Sequence, residues 1–140
     1  MIVVDANLFL RFITRPQPGA EPRLFATADA LFTAAGAGEL EYTTSDAIVA
    51  EVVWVLTKTY KFPREAVRRP MRSLFNLPGC RMPMKNLCVD ALDAWAANPK
   101  LSFIDALIAR MAENGGHELA TLDDDLASFT SAPVWQPDGM

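Results

Sequence analysis

Two short apolar runs that each stop at a carboxylate constrain this chain more than any other feature. Ile2-Val3-Val4 ends at Asp5, and Leu119-Ala120-Thr121-Leu122 ends at Asp123. Runs of this length suit buried strands, so strands are expected over Met1–Val4 and over 117–122. Further strands are expected at 41–43 and 80–82, with a last edge strand at 133–135. Between them lie segments of helical period. Leu24, Ala28, Leu31, Phe32 and Ala35 predict a helix over about 21–36, closed by Gly36 and Gly38. Helices are also expected over 7–13, from a Ser45 cap to Tyr60, from Pro63 to Asn76, up to Ala97, and from a Ser102 cap to Gly115-Gly116. Pro70 should kink or interrupt the fourth of these. Residues 14–22, with three prolines and a glycine, predict a loop, and Leu77-Pro78-Gly79 a turn. Strands alternating with helices imply an α/β fold, a parallel sheet sandwiched by helices in three layers. Such sheets place their sites beyond the carboxyl ends of the strands.

At 140 residues, 51% of them hydrophobic, the chain is expected to form one domain over 1–140 with a core that needs no disulfides. No signal peptide is read at the start, and no uninterrupted apolar stretch is long enough for a membrane span. Cys80 and Cys88 lack a CxxC spacing, and the one histidine, His117, cannot complete a Cys/His zinc site. Both cysteines suit small core positions in a reducing cytoplasm.

The net charge of −4 argues by itself against a nucleic-acid partner. Its distribution does not. Residues 58–85 hold eight of the 13 basic residues and only one of the 17 acidic ones, Glu65. This stretch reads either as a solvated helix face or as a phosphate-binding patch beside an acidic site, with Arg64, Arg68, Arg69 and Arg72 as candidate contacts.

Four acidic residues stand out by position. Asp5 and Asp123 follow strand-like runs, where a helix N-cap is the plain alternative. Glu51 interrupts Ile48-Val49-Ala50-Glu51-Val52-Val53-Trp54-Val55-Leu56. A helix apolar all round is buried, and a carboxylate there costs several kcal/mol unless paired or metal-bound; otherwise Glu51 lies on a narrow solvent stripe. Asp105 completes Ser102-Phe103-Ile104-Asp105, which also reads as a capping box. Asp124 and Asp125 extend the last cluster. Oxygen donors without a Cys/His set suit magnesium or manganese.

These four motifs, Ile2-Val3-Val4-Asp5-Ala6-Asn7, the helix around Glu51, Leu101-Ser102-Phe103-Ile104-Asp105-Ala106 and Ala120-Thr121-Leu122-Asp123, resemble in order and spacing the acidic motifs of PIN domains. The size and the stretch Val52–Leu77 look most like the toxin component of VapBC toxin–antitoxin pairs. The resemblance implies a metal-dependent endoribonuclease with Asp5, Glu51, Asp105 and Asp123 as catalytic acids. Asp5, Asp105 and Asp123 would be the direct ligands of Mg²⁺ or Mn²⁺. Asn7 and Thr121 would support them, and Asp125 competes with Asp123 for the fourth place. It further implies an RNA substrate, a cognate antitoxin and a homodimer. Phe9, Phe12, Phe25 and Trp54, more apolar bulk than one small core readily holds, point to a covering partner as well. Three rivals remain: a catalytically silent RNA-binding module of the same fold, an aspartate-based phosphoryl-transfer protein, and a purely structural partner-binding protein, which would give Glu51 no purpose. The second lacks an aspartate two residues after Asp5, where Asn7 stands.

Overall fold

The computed structural model describes residues 1–15, 19 and 21–138. Part of the loop expected over 14–22 lies outside the described residues. The chain falls into two compact units, Met1–Lys85 and Asn86–Met140, and each is described by itself.

The first unit begins with β1 (Ile2–Val3), which pairs in parallel with β2 (Tyr42–Thr43) in the register Ile2 with Tyr42 and Val3 with Thr43. Tyr42 also forms a parallel bridge to Cys80. Its N–H donates to Gly79 O and its carbonyl accepts from Arg81 N, both at 2.8 Å. The strand expected at 80–82 is therefore a single rung, cut short before Pro83, which has no N–H to donate. The expectation of a buried first strand also needs correction. Ile2 and Val3 are exposed and only Val4 of this run is buried; among the described residues β1 has a strand neighbour on one side alone.

Four helices complete this unit: α1 (Ala6–Thr14), α2 (Pro22–Gly36), α3 (Asp46–Lys58) and α4 (Arg64–Phe75). Helix α1 packs on α2 and on α3, and α3 on α4. The core is aromatic. The Phe9 ring lies 5.3 Å from Phe32 and 6.2 Å from both Tyr42 and Phe75, and Phe32 lies edge-on to Tyr42 at 5.5 Å. Such pairs contribute about 0.5–1.5 kcal/mol each beyond burial. Phe9 is thus core, and Phe12 and Phe25 stack on each other beneath the Arg15 guanidinium. Phe9 is buried, whereas Phe12 and Phe25 stay part-exposed.

Pro70 does not interrupt α4, which runs unbroken through it. A mid-helix proline costs about 3 kcal/mol. Val67, Met71, Leu74 and Phe75 are buried on this helix, and each contributes about 1.5–3 kcal/mol, so packing outweighs the lost bond. The turn after α4 brings Gly79 against the chain before β2. A β-carbon there would overlap the Leu40 carbonyl oxygen and crowd Ala35.

The second unit holds nearly all of α5 (Lys85–Ala97), then α6 (Phe103–Gly115) and α7 (Asp124–Phe129). Ser102 caps α6 by accepting from Asp105 N at 3.1 Å. The helix ends at Gly116, whose φ of 67° is left-handed and suits glycine. The strands expected at 117–122 and 133–135 reduce to one parallel bridge, Leu119 with Val134. Trp95 and Phe103 meet edge to face in the core at 6.4 Å.

Candidate functional site

In the first unit, Asp5 follows β1 directly and serves as the N-cap of α1, its Oδ1 accepting from Leu8 N at 3.3 Å. One residue earlier, the Val4 carbonyl accepts from the buried Thr44 hydroxyl at 2.9 Å. Thr44 leads into Ser45, the N-cap of α3, which accepts from Ile48 N. The carboxyl ends of two parallel strands and the starts of two packed helices are thereby tied side by side. Sequence reasoning did not single out Thr44. Its only cue is a run of hydroxyl residues, Thr43-Thr44-Ser45, and nothing in that run marks which one turns inward.

Glu51 lies one and a half turns into α3 and is exposed. The helix buries Val49, Val52, Val53 and Leu56, while Ala47, Glu51, Trp54 and Lys58 face solvent. The apolar run is therefore not buried all round, and Glu51 stands on the solvent stripe. Trp54, 61% exposed, stands beside it one turn on. Asn7 is exposed in the first turn of α1.

In the second unit, Asp105 is half-buried in the first turn of α6. Asp123 is the N-cap of α7, its Oδ1 accepting from Leu126 N at 3.1 Å. Its own N–H donates to the Thr121 hydroxyl oxygen at 3.0 Å, so Thr121 orients the chain at that aspartate. Helices α6 and α7 pack together. Asp125 faces a separate cleft of about 360 Å³ lined by Asn98, Lys100, Leu101, Ser128 and Phe129. Asp123 and Asp125 thus have different surroundings: one caps the helix, the other borders the cleft.

The structure places Asp5 and Glu51 on packed helices of one unit, and Asp105 and Asp123 on packed helices of the other. Among the described residues, no three His, Cys, Asp or Glu side chains gather into a group that would hold a metal ion. On α4, Glu65 pairs with Arg68 at 2.9 Å and with Arg69 at 3.6 Å. The basic stretch is thus partly neutralised within its own helix. Arg69 is largely exposed, whereas Arg64, Arg68 and Arg72 are half-buried.

The PIN domain family model matches residues 2–131, nearly the whole chain. The chain belongs to the PIN domain family. PIN domains are generally nucleases that use divalent metal ions, and the parallel pairing and the helices among the described residues are consistent with the α/β fold of this family. No curated protein matches the chain by sequence. No helix among the described residues is long and apolar enough to cross a membrane.

The donor chemistry of this PIN domain suits a hard divalent ion. Asp5, Glu51, Asp105 and Asp123 offer only oxygens, and Asp5, Glu51 and Asp123 are exposed. None of the four forms an ion pair among the described residues. Each carboxylate therefore keeps lone pairs for a cation. Glu113 is the contrast, since its carboxylate is committed to Arg110, Thr130 and Ser131.

Proposed function

We propose that this PIN domain is a metal-dependent endoribonuclease and the toxin of a toxin–antitoxin pair. The observation that carries the reading is the placement of Asp5 and Asp123. Each follows a strand-paired segment, caps a helix, and packs that helix against one bearing a second acid, Glu51 or Asp105. The two units are read as halves of one domain because the family model spans both.

On this reading Asp5, Asp105 and Asp123 would hold Mg²⁺ or Mn²⁺. That the acids of the two units serve one ion rests on the order of the four sequence motifs. A bound divalent ion would supply an activated water and neutralise charge on the phosphate. The chain's residues would do the rest. The capped helix starts fix the backbone of Asp5 and Asp123, so their carboxylates meet an ion without reorganising. Glu51 would hold the ion through a water or accept the proton of the attacking water. Asn7 and Thr121 would orient the aspartates beside them. Arg64, Arg68, Arg69 and Arg72 would contact RNA phosphates, and pairing with Glu65 tempers two of them.

A cognate antitoxin would cover Trp54, the exposed aromatic ring beside Glu51, and place a basic side chain on the carboxylates. Homodimerisation rests on the resemblance to VapBC toxins. The rival reading is a catalytically silent RNA-binding module of the same fold.

One experiment separates the two. Purified protein is incubated with single-stranded RNA and Mn²⁺, with and without chelator. Metal-dependent cleavage that is lost in Asp5→Asn and Asp123→Asn supports the nuclease. Binding without cleavage supports the silent module.

A further inference from the structure

Helix α7 has six residues, fewer than a helix needs to hold itself together in water. Its start is fixed by the Asp123 cap and by Thr121. Its end is fixed from α6. The Glu113 carboxylate accepts from the Thr130 hydroxyl at 3.0 Å and from Ser131 N at 2.9 Å through Oε2, and from Arg110 through Oε1. The Arg110 guanidinium lies over the Phe129 ring, 5.2 Å from its centre. Three successive residues leaving α7 are therefore gripped by two residues of α6, one turn apart. The Glu113 side chain is only 11% exposed.

The grip belongs to a closed loop. Leu119 N donates to Pro133 O and Trp135 N donates to Leu119 O, both at 2.8 Å. This closes residues 119–135 into a ring of chain that carries α7 and Asp123. Besides the rung and the packing of Leu126 and Ala132, both buried, Glu113 gives that ring its polar tie to α6. Helix α6 also carries Asp105 in its first turn, so Glu113 fastens the segment bearing one acid to the helix bearing the other.

We propose that Glu113 is a positioning residue for the nuclease site, holding Asp123 at a fixed place relative to Asp105. The inference rests on the reading of Asp123 as a site acid. It assigns Glu113 no contact with substrate or metal. Its carboxylate is consumed by protein donors, and its work is transmitted through the backbone of α7. Misplacing a reacting group by about 1 Å can cost about 100-fold in rate, so a loosened α7 should lower turnover while leaving substrate affinity alone.

The test compares the parent with Glu113→Ala, Glu113→Gln and Asp123→Asn. Amide hydrogen exchange is followed over α6 and α7 in the full chain. kcat and KM are measured on a labelled single-stranded RNA with Mn²⁺. For Glu113→Ala we expect faster exchange at Leu126, Ala127 and Thr130, unchanged exchange in the first turns of α6, and kcat lowered about 100-fold at unchanged KM. Glu113→Gln keeps an acceptor for Ser131 and Thr130, loses the ion pair, and should recover most of the exchange protection and turnover. A Glu113→Ala variant with parental exchange in α7, or with parental kcat while Asp123→Asn is inactive, overturns the inference. A rise in KM alone also overturns it, since that would place Glu113 in substrate binding. An active Asp123→Asn removes the site assignment itself and the inference with it. If Glu113→Ala unfolds, Glu113→Gln decides: turnover and α7 exchange near those of the parent support the hydrogen-bonded grip, and parental turnover with fast α7 exchange overturns it.

Discussion

The Tyr42 hydroxyl donates to the Leu74 carbonyl oxygen at 2.7 Å, joining the middle of the strand ladder to the last turn of α4. Tyr42 is fully buried. Tyr42→Phe keeps the ring contacts with Phe9 and Phe32 and removes this bond, while Leu74 O still accepts from Leu77 N at 3.4 Å, so it should destabilise the fold by about 0.5–1.5 kcal/mol. Burial, then a hydrogen bond and charge interaction with Cys80, push the phenol far above its usual value of 10.0. A raised folded pKa gives stability that is present below the unfolded value and lost as pH rises beyond it. Denaturant titrations from pH 8 to 11 should show the parent weakening near pH 10 and Tyr42→Phe weakening less. Parallel curves would refute the assignment.

Two of the proposed site acids have a structural task that an amide can also perform. Asp5 and Asp123 cap helices, and Asn caps about as well as Asp. Asp5→Asn and Asp123→Asn should therefore melt within about 0.5 kcal/mol of the parent, whereas Asp5→Ala should lose about 1 kcal/mol. Cleavage should fall by orders of magnitude in all three. Mn²⁺ should raise the melting temperature of the parent by mass action and raise that of the variants less. Equal metal shifts in parent and variants would remove these carboxylates from the ion.

On the proposed function, Glu65 would compete with RNA for the arginines of α4. Replacing it by Gln releases Arg68 and Arg69 from their pairs with it. RNA binding by Glu65→Gln should tighten, and each additional phosphate neutralised should steepen the log–log salt dependence by about 0.7 on single strands. Reversing Arg68, Arg69 and Arg72 to Glu should flatten that slope. Salt slopes that coincide in all three proteins would mark α4 as an ordinary solvated face.

The Glu113 grip has a pH signature. Burial pushes its carboxyl up, but hydrogen bonds from Ser131, Arg110 and Thr130 and the charge of Arg110 outweigh that and hold it below the usual 4.5. A depressed folded pKa gives stability that is present above the unfolded value and lost as pH falls through the lower, folded value. Between neutrality and strong acid, the parent should lose an increment of stability below about pH 4.5 that Glu113→Gln does not lose. Identical acid unfolding of the two would show that the ion pair contributes nothing.

What could be read from the sequence was what local chemistry decides. Ser45 and Ser102 cap helices as expected, and Gly116 ends α6, because caps depend on a few neighbouring residues. Helix extents came close for the same reason. The strands came out shorter than their apolar runs, since pairing depends on a partner tens of residues away and here lasts one or two rungs. The solvent stripe that carries Glu51 is hard to see in the sequence, because Trp54 counts as apolar there yet stands in solvent on the same stripe. Thr44 and Glu113 left no sequence signal: their partners, Val4, Thr130 and Ser131, are defined only once the chain has folded.

The strand ladder of the first unit has a consequence for the order of events in folding. Tyr42 pairs with Ile2 on one side and Cys80 on the other, so each rung closes a loop of about forty residues before any bond forms. The helices inside those loops form from near neighbours in far less time. Asp5 is anchored only when β1 docks, and β1 docks only after the chain as far as β2 has been made. On a ribosome, Asp5 can then be anchored as soon as the chain through β2 has emerged, while Glu51, Asp105 and Asp123, the other proposed acids, are still to follow.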